Sequence, residues 1–281
     1  MEVQFKKIPS GITSLDSVIG GGFPIGSLAL LLGESGAGHI EFAYTSAIKL
    51  SIQNANSTLF AQNNVVIPKK ILYISLTRSK SDVLSELAIS FAPSYYEAVR
   101  KNIQFKDLSK IYFKKSSVPY SWFSYTNASI EDLKRVNHER NLLEALVCCL
   151  NEDALDSLVI IDSITALARS CAESPYWKDL ISFLRGLQKI SKHWNGLIYA
   201  LMNSKIFDTQ FQEEIIDCVD GALIFEWEES GAYQRQRTMY IKKFRGLMPH
   251  LEQHNIVKFE TKITPDLGFE VSNIRQLFGR N

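Results

Sequence analysis

Along the chain, short and densely apolar runs alternate with longer stretches in which apolar residues recur every three or four positions. Leu28–Leu32 (Leu-Ala-Leu-Leu-Leu) is apolar without a break, which predicts a strand buried on both faces; a Gly-rich turn and a helical stretch from about Gly38 to Gln53 follow. Ile71–Leu76 predicts the next strand, and Leu84, Leu87, Ala88 and Phe91 then share a helix face. Leu158–Asp162 (Leu-Val-Ile-Ile-Asp) reads as a central parallel strand, followed by a helix with Leu180, Phe183, Leu184 and Leu187 on one side and by the strand Gly196–Met202. Parallel neighbours need crossover connections, and crossover helices cover both faces of a sheet. The rhythm therefore predicts an α/β protein with a mostly parallel central sheet flanked by helices. From Gly221 it changes: Ala222–Trp227, Gln236–Phe244, Ile256–Thr261 and Phe269–Val271 are joined by short connections, which predicts a C-terminal antiparallel extension. Asn54–Asn64 and Ser116–Asn127 are polar enough to read as surface loops. No linker composition and no internal repeat interrupts the chain, so residues 1–281 are expected to form a single domain.

Charge narrows the class. With 31 Lys+Arg against 30 Asp+Glu, the formal charge of +1 argues against a protein whose main task is to neutralise a phosphate backbone, while leaving room for a local basic patch. No apolar run approaches the roughly 18 residues a membrane helix needs, and Met1–Lys7 has no apolar signal core. Cys148, Cys149, Cys171 and Cys218 show no paired spacing and read as reduced, mostly buried thiols. The expectation is a cytoplasmic protein without membrane contact.

The strongest local signal is Leu32-Gly33-Glu34-Ser35-Gly36-Ala37-Gly38-His39-Ile40, placed after a strand and at the start of a helix. In such a loop, glycines let successive N–H groups converge on an anion at the helix N-terminus. The spacing Gly33-x4-Gly38 fits a phosphate-binding loop, and it fits a plain tight strand-to-helix turn equally well. The next two residues depart from the pattern. A working loop needs Lys, to reach the β/γ-phosphates, and then Ser or Thr, to hold Mg²⁺; here stand His39 and Ile40. Imidazole is shorter and mostly neutral at pH 7, and isoleucine carries no oxygen. Losing one charge-assisted bond costs about 1.5–3 kcal/mol, or roughly ten- to a hundredfold in affinity. Glu41 suits a helix N-terminus without a phosphate and would repel one that arrived.

Upstream stand Ile8-Pro9-Ser10-Gly11-Ile12-Thr13-Ser14-Leu15-Asp16 and Gly20-Gly21-Gly22-Phe23-Pro24-Ile25-Gly26-Ser27-Leu28. With the loop, these resemble the opening segment of the RecA superfamily, most closely its KaiC-like and RadA-like branches. Leu158–Ser163 resembles the family's second nucleotide motif, Asp220-Gly221-Ala222-Leu223-Ile224 its "D-G-x-(I/L)" strand start, and Lys243-Phe244-Arg245-Gly246 its "K-x-R-G" element. The likeness covers nearly the whole chain and is weakest at about residues 92–140. It implies a RecA-like P-loop NTPase fold, ATP with Mg²⁺ as ligand, and a homo- or hetero-oligomer of RecA-like subunits such as a hexameric ring. Carried over by motif, the nucleotide contacts would be Gly33, Glu34, Ser35, Gly36, Ala37, Gly38, His39, Ile40 and Asp162, with Lys243 and Arg245 reaching a neighbouring subunit's nucleotide. Asp162 would hold the metal through water; an Asp at a strand's end also serves as a helix N-cap. The family places a water-polarising Glu just after the second core strand, where this chain reads Ser75-Leu76-Thr77-Arg78-Ser79. Neither Thr77 nor Arg78 is a base at neutral pH.

The expectation is therefore a KaiC-like protein with no hydrolysis or very weak hydrolysis, impaired ATP binding, Mg²⁺ only with nucleotide, and a regulatory or assembly role. Two alternatives stand beside it. One is a slow ATPase, with His39 on phosphate and a metal held by Asp162 through waters. The other is a nucleic-acid-binding scaffold similar to Elongator's RecA-like subunits. His250 and His254, beside Pro249, read as a solvated connection rather than a metal site, and Ser163 as structural. Arg235, Arg237, Lys242, Lys243 and Arg245 form the one basic concentration, read as the solvent face of an edge strand, as a subunit interface or as a nucleic-acid contact. Tyr120, Trp122, Phe123 and Tyr125 could stack on bases, though such a group more often anchors a long loop or forms a partner surface.

Overall fold

The unbroken apolar runs become the middle strands of a sheet, because only a position covered on both faces by helices tolerates them. The computed structural model describes residues 6–55, 64–114, 116–123, 141–171, 176–230 and 234–276; Tyr125 and most of the Asn-rich stretch lie outside them. Two short strands, β1 (Lys7–Ile8) and β2 (Phe23–Pro24), pair antiparallel around α1 (Thr13–Val18). Then follow β3 (Ser27–Gly33), α2 (His39–Ala55), β4 (Lys70–Ser75), α3 (Lys80–Ser90), α4 (Pro93–Asn102) and β5 (Ile103–Asp107). After α5 (Ser109–Phe113), α6 (Tyr120–Phe123) and α7 (Leu142–Asp153) come β6 (Ser157–Asp162), α8 (Ile164–Ser170), α9 (Tyr176–Trp194), β7 (Leu197–Asn203) and α10 (Thr209–Asp217). The chain ends in β8 (Gly221–Ser230), β9 (Gln234–Phe244), α11 (Met248–Gln253), β10 (Ile256–Thr264) and β11 (Gly268–Gln276).

Among the described residues, nine strands form one sheet in the order β11-β10-β9-β8-β3-β7-β6-β4-β5. From β8 through β5 all neighbours are parallel, and β9, β10 and β11 add on antiparallel. This is the expected α/β layout with its C-terminal antiparallel extension. Side chains of β3 alternate between two cores. Ala29 and Leu31 join Phe42 and Ile48 of α2, whereas Leu28, Leu30 and Leu32 join Leu180, Leu184 and Leu187 of α9. The weakest stretch for resemblance holds β5, which occupies the sheet edge. Its Ile-Gln-Phe-Lys-Asp has too few apolar residues to announce a strand.

Three local expectations need correction. β9 is not an edge strand where β10 pairs with it, at Arg237–Met239, so Arg237 is flanked on both sides, whereas Arg235, Lys242 and Lys243 lie beyond that pairing. Residues 54 and 55 continue α2 rather than open a loop. Ser116–Asn127 contains the short α6, on which Trp122 is 73% exposed. His250 lies on α11, where its Nε2 is 3.1 Å from the Val18 carbonyl, and its ring stacks edge-on with His254. Among the described residues no group of His, Cys, Asp and Glu is arranged to hold a metal, and no helix is long and apolar enough to cross a membrane.

The end of the sheet where β3 starts is tied by Asp220, only 2% exposed. Its carboxylate accepts from the Leu28 N–H at 3.0 Å and from Lys192 Nζ at 2.5 Å. Asp220→Ala strands the Leu28 N–H in the sheet, and a loss of about 1–3 kcal/mol in chemical denaturation is expected. A variant as stable as wild type would show that water replaces the carboxylate there.

Candidate functional site

The register of the parallel strands brings Gly33, Asn203 and Phe225 level at the end of the sheet where β3 stops. The loop from Gly33 to α2 is held there from both sides. The Glu34 N–H donates to the Phe225 carbonyl at 3.0 Å, and Asn203 Nδ2 donates to Ser35 Oγ at 3.1 Å. From the β8–β9 hairpin, Trp227 Nε1 donates to the Ser35 carbonyl at 3.1 Å and Arg237 Nε to that of Gly36 at 2.8 Å. The guanidiniums of Arg235 and Arg237 lie over the Trp227 ring, 4.9 and 4.3 Å from its centroid. Lys205 pairs with Glu34 at 3.2 Å. Gly36 and Gly38 have φ of +72° and +108°, so the backbone curls here through conformations that favour glycine.

At the position where the resemblance puts a lysine, the His39 side chain does not reach outward. It is 6% exposed and its ring lies on Gly33, where an added Cβ would stand 2.2 Å from Nδ1. Nδ1 is buried and has no hydrogen-bond partner. Burial pushes the imidazole pKa down from 6.5 to about 4, against the pull of Asp162, so the ring is neutral at pH 7. Ile40 is half-buried against the core and offers no oxygen. Burial pushes the Glu41 carboxyl up, with Arg237 opposing the shift.

The acidic end of the site is built from β4, β6 and the chain between β4 and α3. Register sets Asp162 beside Ser75, and the Leu76 N–H donates to the Asp162 carbonyl at 2.7 Å. Ser79 caps α3 in a capping box with Asp82, and this fixes where Arg78 leaves the backbone. Arg78 Nη2 lies 2.5 Å from Asp162 Oδ2, and Nη1 lies 2.5 Å from Glu86 Oε2. Nη2 also donates to the hydroxyls of Tyr44 and Tyr73, at 2.8 and 3.1 Å. The Tyr73 hydroxyl in turn donates to Asp162 Oδ2 at 2.5 Å. Burial is the main force holding both phenols above their ordinary pKa. Burial works against the charge of Arg78, but Asp162 and the tyrosines more than reverse it, and the guanidinium pKa is raised. The residues present do not fit a metal. Asp162 Oδ2 is already shared by a guanidinium and a phenol, and Ile40 cannot ligate. Asp162 is not a helix cap either, because Ser163 caps α8 by accepting the Ala166 N–H.

Of the residues singled out in the sequence, those from Gly33 to Ile40 meet Asp162 at one end of the sheet; Lys243 and Arg245 do not. Phe244 pairs with Gly221 at the far end, whereas Met239 pairs with Phe225 beside the loop. At about 3.3 Å per residue, Lys243 stands roughly 13 Å down the sheet from that level. Lys243 Nζ donates to the Ile216 carbonyl at 2.8 Å, at the end of α10, and Arg245 lies 3.6 Å from Asp220. The basic concentration is thus two groups at opposite ends of β9. Tyr44, Tyr73, Glu86 and Trp227 were not found by sequence reasoning. Tyr44 and Tyr73 lie in apolar runs as ordinary core residues would, and Glu86 is two turns into a helix; only Asp162 and Arg78, an arginine at an acidic position, pointed to the cluster.

The architecture is that of an α/β protein with a strand–loop–helix at the centre of a mostly parallel sheet. The family model of the KaiC ATPase matches residues 8–273, and the chain belongs to that family within the RecA superfamily. Two solved structures share the fold. A KaiC-like protein, PH0186, from Pyrococcus horikoshii OT3 is 19% identical, with 96% of this chain and 100% of that one covered and a TM-score of 0.57. The flagellar accessory protein FlaH from Methanocaldococcus jannaschii is 16% identical, covering 92% and 95%, with a TM-score of 0.59. No curated protein matches the sequence.

The depressed His39 pKa has a consequence for stability. Between pH 6.5 and about 4 the unfolded chain takes up a proton that the folded one refuses, so stability falls as pH falls through that window. The full effect is about 3 kcal/mol. In urea denaturation at stepped pH, His39→Leu is expected to lose correspondingly less than wild type. Equal slopes for the two proteins would show that the imidazole charges in place.

Proposed function

We propose that this domain is a KaiC-like RecA-superfamily protein that does not turn over ATP appreciably, binds nucleotide weakly or not at all, and works as a regulatory or assembly subunit. The observation that carries the reading is the buried, neutral His39 at the lysine position. Phosphoryl transfer depends on charge compensation and positioning. Here the loop backbone offers N–H groups, while the side chain after Gly38 brings no charge and Ile40 no ligand. The carboxylates of Glu86 and Asp162 are both tied to Arg78.

ATP turnover by the purified protein is expected at background. Robust Mg²⁺-dependent hydrolysis that disappears in Asp162→Ala would overturn the proposal. His39→Lys combined with Ile40→Thr restores a cation and a hydroxyl but no base. Nucleotide affinity in a fluorescence titration should rise at least tenfold, about 1.4 kcal/mol, without matching turnover. An unchanged affinity would mean that the loop is not shaped for phosphate.

Assembly is the second half of the reading. Lys243 stands roughly 13 Å down the sheet from the level of its own chain's loop and Arg245 lies beyond it, so a loop they approach belongs to another subunit. With no phosphate there, the acidic partners would be Glu34 and Glu41, which within their own chain already face Lys205 and Arg237. Lys243→Ala with Arg245→Ala should shift the sedimentation profile toward smaller species, most clearly at low salt. A wild-type protein that remains monomeric at high concentration, with and without nucleotide, would exclude self-association.

A further inference from the structure

Within the site, one group is doing something that neither the loop nor the family pattern requires. Arg78 stands at a position where an acid is expected, and its guanidinium faces inward with four oxygen partners: Asp162, Glu86, Tyr44 and Tyr73. The two tyrosines are 3% and 2% exposed, and the Asp162 side chain is 11% exposed. With the phenols and His39 neutral, the cluster holds two carboxylates and one cation. Were Arg78 absent, those carboxylates and hydroxyls would converge on one space as a set of hard oxygen donors, the kind that suits Mg²⁺ or Mn²⁺.

We infer that the Arg78 guanidinium is a tethered cation that replaces a divalent metal at Asp162, so that the domain holds its acidic cluster closed from within and takes up neither Mg²⁺ nor Mn²⁺ there. The inference rests on the reading of the site as non-hydrolysing and names what stands in the metal's place. An incoming dication would meet a fixed positive charge 2.5 Å from the carboxylate it needs, and would have to displace bonds from both Arg78 and Tyr73. Because the cation is part of the chain, its local concentration does not depend on the solution. The acidic end of the site is then the same with or without metal and nucleotide, as suits a subunit that assembles without a nucleotide cycle.

The test uses Mn²⁺ alone, without nucleotide, and reads the free-ion signal by electron paramagnetic resonance together with the melting temperature. Wild type should leave the Mn²⁺ signal and its own melting temperature unchanged. Arg78→Gln, which keeps a polar side chain but removes the charge, should bind one Mn²⁺ at least tenfold more tightly than wild type. That gain should disappear in Arg78→Gln with Asp162→Asn. If Arg78→Gln is unfolded without metal, millimolar Mn²⁺ is expected to restore its melting transition. The inference is overturned by one-to-one Mn²⁺ binding in wild type that is lost in Asp162→Asn. It is equally overturned by an Arg78→Gln protein that folds yet gains no site, or that Mn²⁺ does not restore. ATP turnover is measured separately. A wild type that binds Mn²⁺ but leaves ATP intact removes this inference alone, whereas hydrolysis removes the proposed function.

Discussion

Everything at the site follows from the confinement of β3. Neighbouring strands occupy both its edges, β7 and β8, and helices cover both its faces, so the chain can leave only at Gly33. The backbone that turns from there into α2 is set by the register of its neighbours rather than by a ligand. Phe225 accepts the Glu34 N–H, Asn203 holds Ser35, and the β8–β9 hairpin donates to two loop carbonyls. The loop is therefore preformed. Whatever it does or fails to do is decided by the side chains placed on that frame.

Those side chains divide the site into two electrostatic regions. Around the loop, a neutral imidazole is folded inward and the nearby acids are compensated by Lys205 and Arg237. Around Asp162, a guanidinium is bound by two carboxylates and two phenols. In a partly buried cluster these contacts matter more than they would in water, since an unpaired charge there would carry a desolvation cost of several kcal/mol. Removing one member should therefore disturb the rest, which is why the informative substitutions keep a polar group in place. The two regions touch through Asp162, whose charge acts on His39 while its oxygen is held by Arg78.

The sheet's middle was legible because burial on both faces leaves a simple trace: Leu28–Leu32, Ile71–Leu76 and Leu158–Asp162 have hardly a polar atom to spare. Strand ends and edges were not. β10 and β11 run past the residues read as strand because their ends face solvent and are polar, and β5 at the opposite edge left no clear pattern. For the site, the glycine spacing, the odd His39 and Ile40, and the misplaced Arg78 could all be read in one dimension. Their partners could not. Tyr44, Tyr73 and Glu86 are separated from Asp162 in sequence and meet it only through parallel pairing and helix packing. The basic residues of β9 posed the opposite difficulty: a cluster in sequence becomes two groups in space, because an extended strand carries its ends far apart.

The glycines of the loop carry a consequence for how such sequences are interpreted. A Cβ at Gly33 would collide with the His39 ring, and one at Gly38 would come within 3.0 Å of the Phe269 ring. Both positions thus answer to aromatic neighbours inside the protein, whether or not a phosphate ever enters. Counting glycines in a motif of this kind measures how closely a turn is packed. Evidence about chemistry resides in the positions that packing leaves free to vary.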